Sequence, residues 1–307
     1  MKDKILLFLI ISFLPIHFFG QTNGEILSTD KVTFPLYNEI KNISEYCSKD
    51  EYEAAINDKD ISFEKITYYS DSLKVKAYYI KPIHNSNENS PIIIFNRGGL
   101  IRNDIGYVYA SLFKKFIDNG FVVIAPALRG SEGGEGKDEN GGKDLDDIMN
   151  ILPLLKNLKS IDISDIFMLG ESRGGYMTFL AARKNFPMRA IATVGAITDM
   201  ELYLKNNPSI EAVAEQIWPD FKSNRSQILD ERSAIKWADK INTPTLIMHG
   251  NNDQSVNPIH SLNLAEKFQS LGKEYELVII NKGNHILSGS SSNQRNETII
   301  KWFKQHL

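Results

Sequence analysis

The sequence has a single cysteine, Cys47, in 307 residues. That excludes an internal disulfide and any zinc centre built on several thiolates, and Cys47 reads as an inert thiol. Positive charge is not in excess either. Lys and Arg number 35 against 38 Asp and Glu, a net charge of −3, so no nucleic-acid partner is expected. No H-E-x-x-H or comparable ligand spacing occurs, and no cofactor is expected. The glycine-rich stretch "GSEGGEGKDENGGK" is not a phosphate loop, because five residues separate Gly130 from Gly136 and Asp138 follows Lys137. No internal repeat is visible. A long, nearly uninterrupted apolar run occurs only near the start, in "ILLFLIISFLPIHFFG" after "MKDK".

That run reads as a secretory signal peptide. It is short and contains Pro15, whereas a membrane span needs roughly 20 apolar residues, so no stable span is expected. Cleavage after Gly24 places Thr22 at the −3 position, which suits a signal peptidase better than Phe18, the −3 residue for a cut after Gly20. The expected location is secreted or periplasmic.

What is present is an ordinary globular mixture, 42% apolar and 24% charged. After the leader (1–24) comes an extension, 25–61, read as helical over 36–57, and then one large domain, 62–307. "SFEKITYYSDSLKVKAYYIKP" (62–82) alternates on either side of "SDS", as a β-hairpin does. "IIIFN" (92–96), "FVVIAPA" (121–127), "IFMLG" (166–170), "RAIATVGA" (189–196) and "TPTLIMHG" (243–250) are short apolar strands, and "YELVII" (275–280) is a sixth. Helical segments separate them. The alternation predicts an α/β fold, a mostly parallel sheet with helices on both faces, whose ligands bind beyond the C-terminal strand ends.

At one such end stands "GESRGG". Gly170 and Gly174 let a strand and a helix approach closely around Ser172, the arrangement called the nucleophile elbow, G-x-S-x-G. It identifies an α/β-hydrolase fold with Ser172 as nucleophile. A serine hydroxyl needs a base, and the chain has six histidines. His17 lies in the leader, His84 precedes the polar loop 85–90, and His306 is next to the C-terminus. His249 ends a strand, where packing is expected. His285, in the polar loop "NKGNHILSG" after the last strand, is the favoured base, with His260 its rival. Asp253, in the loop after strand 243–250, gives the chain order Ser…Asp…His of this fold. Asp199 is the alternative acid. The oxyanion donors should be the backbone N–H of Arg173 and an amide of the loop "FNRGGL", at Gly98 or Gly99.

These segments together resemble the catalytic domain of the prolyl oligopeptidase family of serine peptidases. The resemblance covers 62–307 and rests on "RGSEGGEG" with its acidic helix start, "GESRGGYMTFLAA", "INTPTLIMHGNNDQSV" and "GNHIL". It implies Ser172 as nucleophile, Asp253 as acid, His285 as base, and short peptides as substrates. Two departures stand out. Too few residues precede the core strands for the β-propeller that family members often carry. Arg97 also occupies the position where several members use a tyrosine in the oxyanion hole. A carboxylesterase for small or carbohydrate-linked esters is the alternative, and a catalytically silent binding protein of the same fold is a third reading. Arg129, Asp144, Asp146 and Asp147 are expected to fix the glycine-rich loop and cap a helix. Glu171 is expected in a structural ion pair. Tyr203, Trp218, Phe221 and Trp237 fit either a lid over the site or core packing. Oligomeric state is left open.

Overall fold

The computed structural model describes residues 21–84, 90–100, 102–158 and 163–307. Residues 1–20 of the expected leader and most of the loop 85–90 lie outside the described residues. The strands are β1 (Ile26–Lys31), β2 (Ile61–Ser70), β3 (Leu73–Pro82), β4 (Ile92–Asn96), β5 (Val122–Pro126), β6 (Ile166–Glu171), β7 (Ala190–Val194), β8 (Thr245–Gly250) and β9 (Tyr275–Ile280). They form one sheet in the order β1-β2-β3-β5-β4-β6-β7-β8-β9. From β5 through β9 every neighbouring pair is parallel, while β1, β2 and β3 add an antiparallel flank. The "SDS" turn closes β2 on β3 with Asp71 and Ser72 at φ 50° and 68°, the left-handed pair of a tight hairpin.

The apolar runs are strands because both faces of the sheet are covered. Successive side chains of a strand point to opposite faces. Ile92, Ile94 and Met168 accordingly enter one core, and Ile93, Phe95 and Phe167 the other. The first core is closed by α4 (Leu145–Met149), α5 (Ile151–Asn157), α6 (Arg173–Arg183), α7 (Met200–Asn206), α8 (Pro208–Ile217), α9 (Phe221–Glu231) and α10 (Ile259–Ser270). The second is closed by α1 (Lys49–Ile56), α2 (Ile105–Val108), α3 (Ala110–Ile117) and α11 (Ser292–Gln305).

The extension 25–61 differs from its helical reading. Its first part is β1, which pairs with β2. Continuous helix is confined to α1, with single 3-10 turns at Tyr37–Glu39 and Ile43–Glu45. Asn42, in left-handed conformation at φ 58°, interrupts the path. The α-helix begins only at Ser48, where Ser48 and Glu51 cap each other's backbone N–H.

Candidate active site

The C-terminal ends of β4, β6, β7, β8 and β9 bring the expected residues to one edge of the sheet. Ser172 follows β6 directly at φ 53°, ψ −119°, a costly backbone conformation for a residue with a Cβ. Its neighbours enforce it. A Cβ on Gly170 would lie 2.2 Å from Gly174 O, and one on Gly174 would lie 1.9 Å from Asn96 O. No side chain fits at either position, so strand and helix pack backbone to backbone. Ser172 N donates to Val194 O at 2.8 Å, and Gly175 N to Ser172 O at 2.9 Å. The serine is thereby tied to β7 on one side and to the first turn of α6 on the other.

Asp253 and His285 meet across the loops after β8 and β9. His285 Nδ1 lies 2.7 Å from Asp253 Oδ2. Asp253 Oδ1 accepts from Ser255 N at 2.8 Å and Val256 N at 2.9 Å. Burial alone would push this carboxyl up, but hydrogen bonds from His249 and His285 and the backbone N–H of Val256 outweigh it and hold the group well below the usual carboxylate range. The Asp253 side chain is fully buried, whereas that of His285 is 24% exposed. Gly195, directly after β7, seats this pair against the end of β7, the strand whose Val194 O accepts from Ser172 N. A Cβ there would stand 3.1 Å from His285 Nδ1 and 3.3 Å from Asp253 Oδ2. Among the described residues no hydrogen bond joins Ser172 to His285.

The loop after β4 is held by two arginines. Arg97 Nη1 donates to the carbonyls of Gly98, Gly99 and Leu100, and Nη2 to Ala127 O at 3.1 Å and Ser131 Oγ at 2.9 Å. Arg173 Nη1 donates to Gly99 O at 2.9 Å. Gly98 sits against Ser172, since a Cβ on it would be 3.2 Å from Ser172 Cβ. Arg173 also forms bonds of 2.7, 2.7 and 2.6 Å with the buried carboxylates of Asp138 and Asp144. Arg129 grips Asp147 in the same way, at 2.7 Å from Oδ1. The expected bracing of the glycine-rich loop is therefore present, but Asp144 serves Arg173, and Asp146, outside the grip, lies 3.8 Å from Lys184.

The alternatives have other employment. His260 is buried in α10, with Nδ1 3.4 Å from Thr198 N and 3.3 Å from Asp199 N, and burial pushes it down to about 4. Asp199 caps α7 by accepting from Leu202 N at 3.1 Å. Glu171 makes the expected ion pair, 3.4 Å from Arg295; burial raises its carboxyl and Arg295 opposes the rise.

A cavity of about 220 Å³ opens beside Ser172. It is lined by Ile197, Met200 and Tyr203, by Ile210, Val213, Ile217 and Trp218, and by Leu100 and Asn140. Tyr203 and Trp218 thus line the site. Phe221 backs Trp218 at 5.4 Å between ring centroids. Trp237 is buried elsewhere, under Arg183. The aliphatic wall escaped the sequence reading, although Ile210, Val213 and Ile217 recur at helical spacing along α8 and mark one face. Among the described residues no cluster of three or more His, Cys, Asp or Glu side chains has metal-holding geometry, and no helix is long and apolar enough to cross a membrane.

With this geometry in place, known proteins give a consistent match. A family model described as the prolyl oligopeptidase family matches residues 108–307. The uncharacterized peptidase YtmA of Bacillus subtilis is 27% identical over 240 residues, covering 78% of this chain and 92% of the relative. In structure, the acylaminoacyl peptidase of Pyrococcus horikoshii superposes with a TM-score of 0.66 at 24% identity, over 83% of this chain and 44% of that one. The chain thus spans less than half the length of that solved relative. Est1E of Butyrivibrio proteoclasticus, solved with ferulic acid bound, superposes with a TM-score of 0.62 at 20% identity, over 78% of this chain and 97% of its own.

Proposed function

Because this chain belongs to the prolyl oligopeptidase family, we propose that it is a serine hydrolase that cleaves short peptides through Ser172, His285 and Asp253. The observation that carries this reading is the 2.7 Å bond from His285 to a buried Asp253, set against the strained serine at the end of β6. Asp253 holds Nδ1 protonated and leaves Nε2 free to take the proton of Ser172 Oγ. The serine oxygen attacks the acyl carbon. Negative charge on the carbonyl oxygen is met by the N–H of Arg173, the first residue of α6, and by an amide at Gly98 or Gly99. The Arg97 guanidinium is occupied with loop carbonyls, which favours backbone donors here. His285 returns the proton to the departing amine, then activates the water that releases the acyl group.

The cavity beside Ser172 sets preference in this reading. Its aliphatic and aromatic walls suit a bulky apolar side chain on the residue whose carbonyl is attacked. The apolar segment before residue 21 is read as an export signal, placing the enzyme outside the cytoplasm.

Acylated phenylalanine and lysine should be compared as p-nitroanilides, with the phenylalanine p-nitrophenyl ester alongside. Both phenylalanine substrates should be turned over, and kcat/KM for the phenylalanine anilide should exceed that for lysine at least tenfold, roughly the discrimination a well-filled apolar pocket gives. Turnover of the ester without the anilide would instead support the carboxylesterase reading. Equal rates for phenylalanine and lysine would remove the cavity from the account.

A further inference from the structure

The carboxylate of Asp253 has a second imidazole on the same oxygen. His249, the penultimate residue of β8, is fully buried. Its Nε2 lies 3.0 Å from Asp253 Oδ2 and 2.9 Å from Val256 O. Both partners are acceptors, so in either protonation state of the ring Nε2 carries a hydrogen and donates it. Nδ1 lies 2.7 Å from Ser261 Oγ on α10, a hydroxyl able to donate to it. Oδ2 therefore receives His249 and His285 together, while Oδ1 is filled by Ser255 N and Val256 N.

This division separates two tasks. The backbone donors on Oδ1 fix where the carboxylate points. What His249 adds is competition for the electron density of Oδ2, the oxygen on which His285 depends. We propose that His249 is a positioning residue that acts through Asp253, a fixed second donor that limits how much negative charge the carboxylate presents to His285. The inference rests on the reading of His285 as the base, and it adds a residue outside the Ser, Asp and His of that reading.

Of the other groups, buried Glu171 at the end of β6 feels the charge of His285 directly, not through Asp253, and is paired with Arg295. On α10 lies His260, which burial and the charge of His249 disfavour as a cation. Asp199 acts on His260 from the start of α7. Tyr203, also on α7, feels the charge of Asp253, and burial raises its phenol. Directly after β7, Gly195, without a side chain, faces the pair. Neither His260 nor Tyr203 has a hydrogen bond to Asp253 among the described residues.

The sign of the consequence follows. Without the His249 donor, Oδ2 turns more of its charge on His285 and stabilises the imidazolium. His285 then needs a higher pH to become the free base. The test is the rate at which a fluorophosphonate labels Ser172, followed from pH 4 to 9. H249L and H249N remove the donor, since an asparagine amide is too short to reach Oδ2. H249Q keeps an N–H near the Nε2 position. The acid limb should move up by about half to one pH unit in H249L and H249N and stay within about 0.2 units of wild type in H249Q. A packing role alone would lower stability without moving the limb. An unmoved or downward-shifted limb in a folded H249L or H249N would overturn the proposal.

Nitrogen-15 spectra of the histidine side chains in the unmodified protein supply a readout that does not depend on activity. A hydrogen on Nε2 of His249 supports the proposal, and one found on Nδ1 alone overturns it, even where no variant folds. If the unmodified protein resists the probe, it is the function reading that fails, and the spectra still decide the hydrogen bond.

Discussion

Replacing Asp253 with asparagine should lower kcat by about 10⁴-fold while leaving the fold intact. The hydrogen-bond pattern dictates this. Oδ1 accepts two backbone N–H groups, from Ser255 and Val256. An asparagine must keep its oxygen there, because an NH2 group would face two donors. Its NH2 then occupies the Oδ2 position and points at His285 Nδ1 and His249 Nε2. His285 can satisfy it only by moving its own hydrogen to Nε2, the nitrogen that should receive the serine proton. The base is lost through the tautomer, with no charged residue removed from the nucleophile itself. Steady-state kinetics on the phenylalanine anilide would measure the loss, and thermal unfolding would confirm the fold. A decrease of less than tenfold would place Asp253 outside the reaction.

The largest stability effect is expected at Arg173. Its guanidinium bridges Asp138 and Asp144, and all three residues are buried, with Asp144 fully so. Burial disfavours the arginine's charge, yet the two carboxylates more than restore it and hold the group ionised. Arg173→Met would leave two carboxylates in the interior with that partner gone. Breaking a buried pair from one side costs about 3–5 kcal/mol. Arg97, 3.8 Å from Asp138, is already shared among loop carbonyls and cannot replace the lost bonds. Arg173→Lys would keep a charge but not the fork that reaches both acids, and should fall between. Urea denaturation gives the numbers. A midpoint change corresponding to less than about 1 kcal/mol for the methionine variant would mean that the carboxylates relax into water.

Arg173 also shows where sequence reasoning stops. Position 173 follows from the elbow pattern, and with it the expected role of its backbone N–H. The side chain's grip on Asp138 and Asp144 joins residues 35 and 29 positions apart and has no local signature. The central strands were legible because each is a short apolar run, as in "IIIFN" and "FVVIAP", and a parallel sheet buries both faces. Strand β1 was not. It lies at the sheet edge with five of its six residues exposed, so "ILSTDK" shows no apolar pattern and is held by backbone pairing with β2. Ser172 was chosen by the elbow pattern, and Asp253 and His285 by their place in the loops after β8 and β9; the structure joins the last two directly. His249 was expected simply to pack. Its two-sided contact with Asp253 and Ser261 depends on a loop returning to the strand and on the helix that follows, which periodicity does not report. The cavity wall was half legible, through Tyr203 and Trp218. Its aliphatic side came from α8, whose apolar face looks like core until its position over Ser172 is known.

The central claim is that Ser172 is a nucleophile driven by His285. A fluorophosphonate probe tests it most directly, by mass spectrometry of the labelled peptide. Ser172 should be modified in the unmodified protein, modification should vanish in Ser172→Ala, and its rate should fall by at least 10³-fold in His285→Ala. A probe adduct that persists in Ser172→Ala, or a rate at Ser172 indifferent to the loss of His285, would contradict the account.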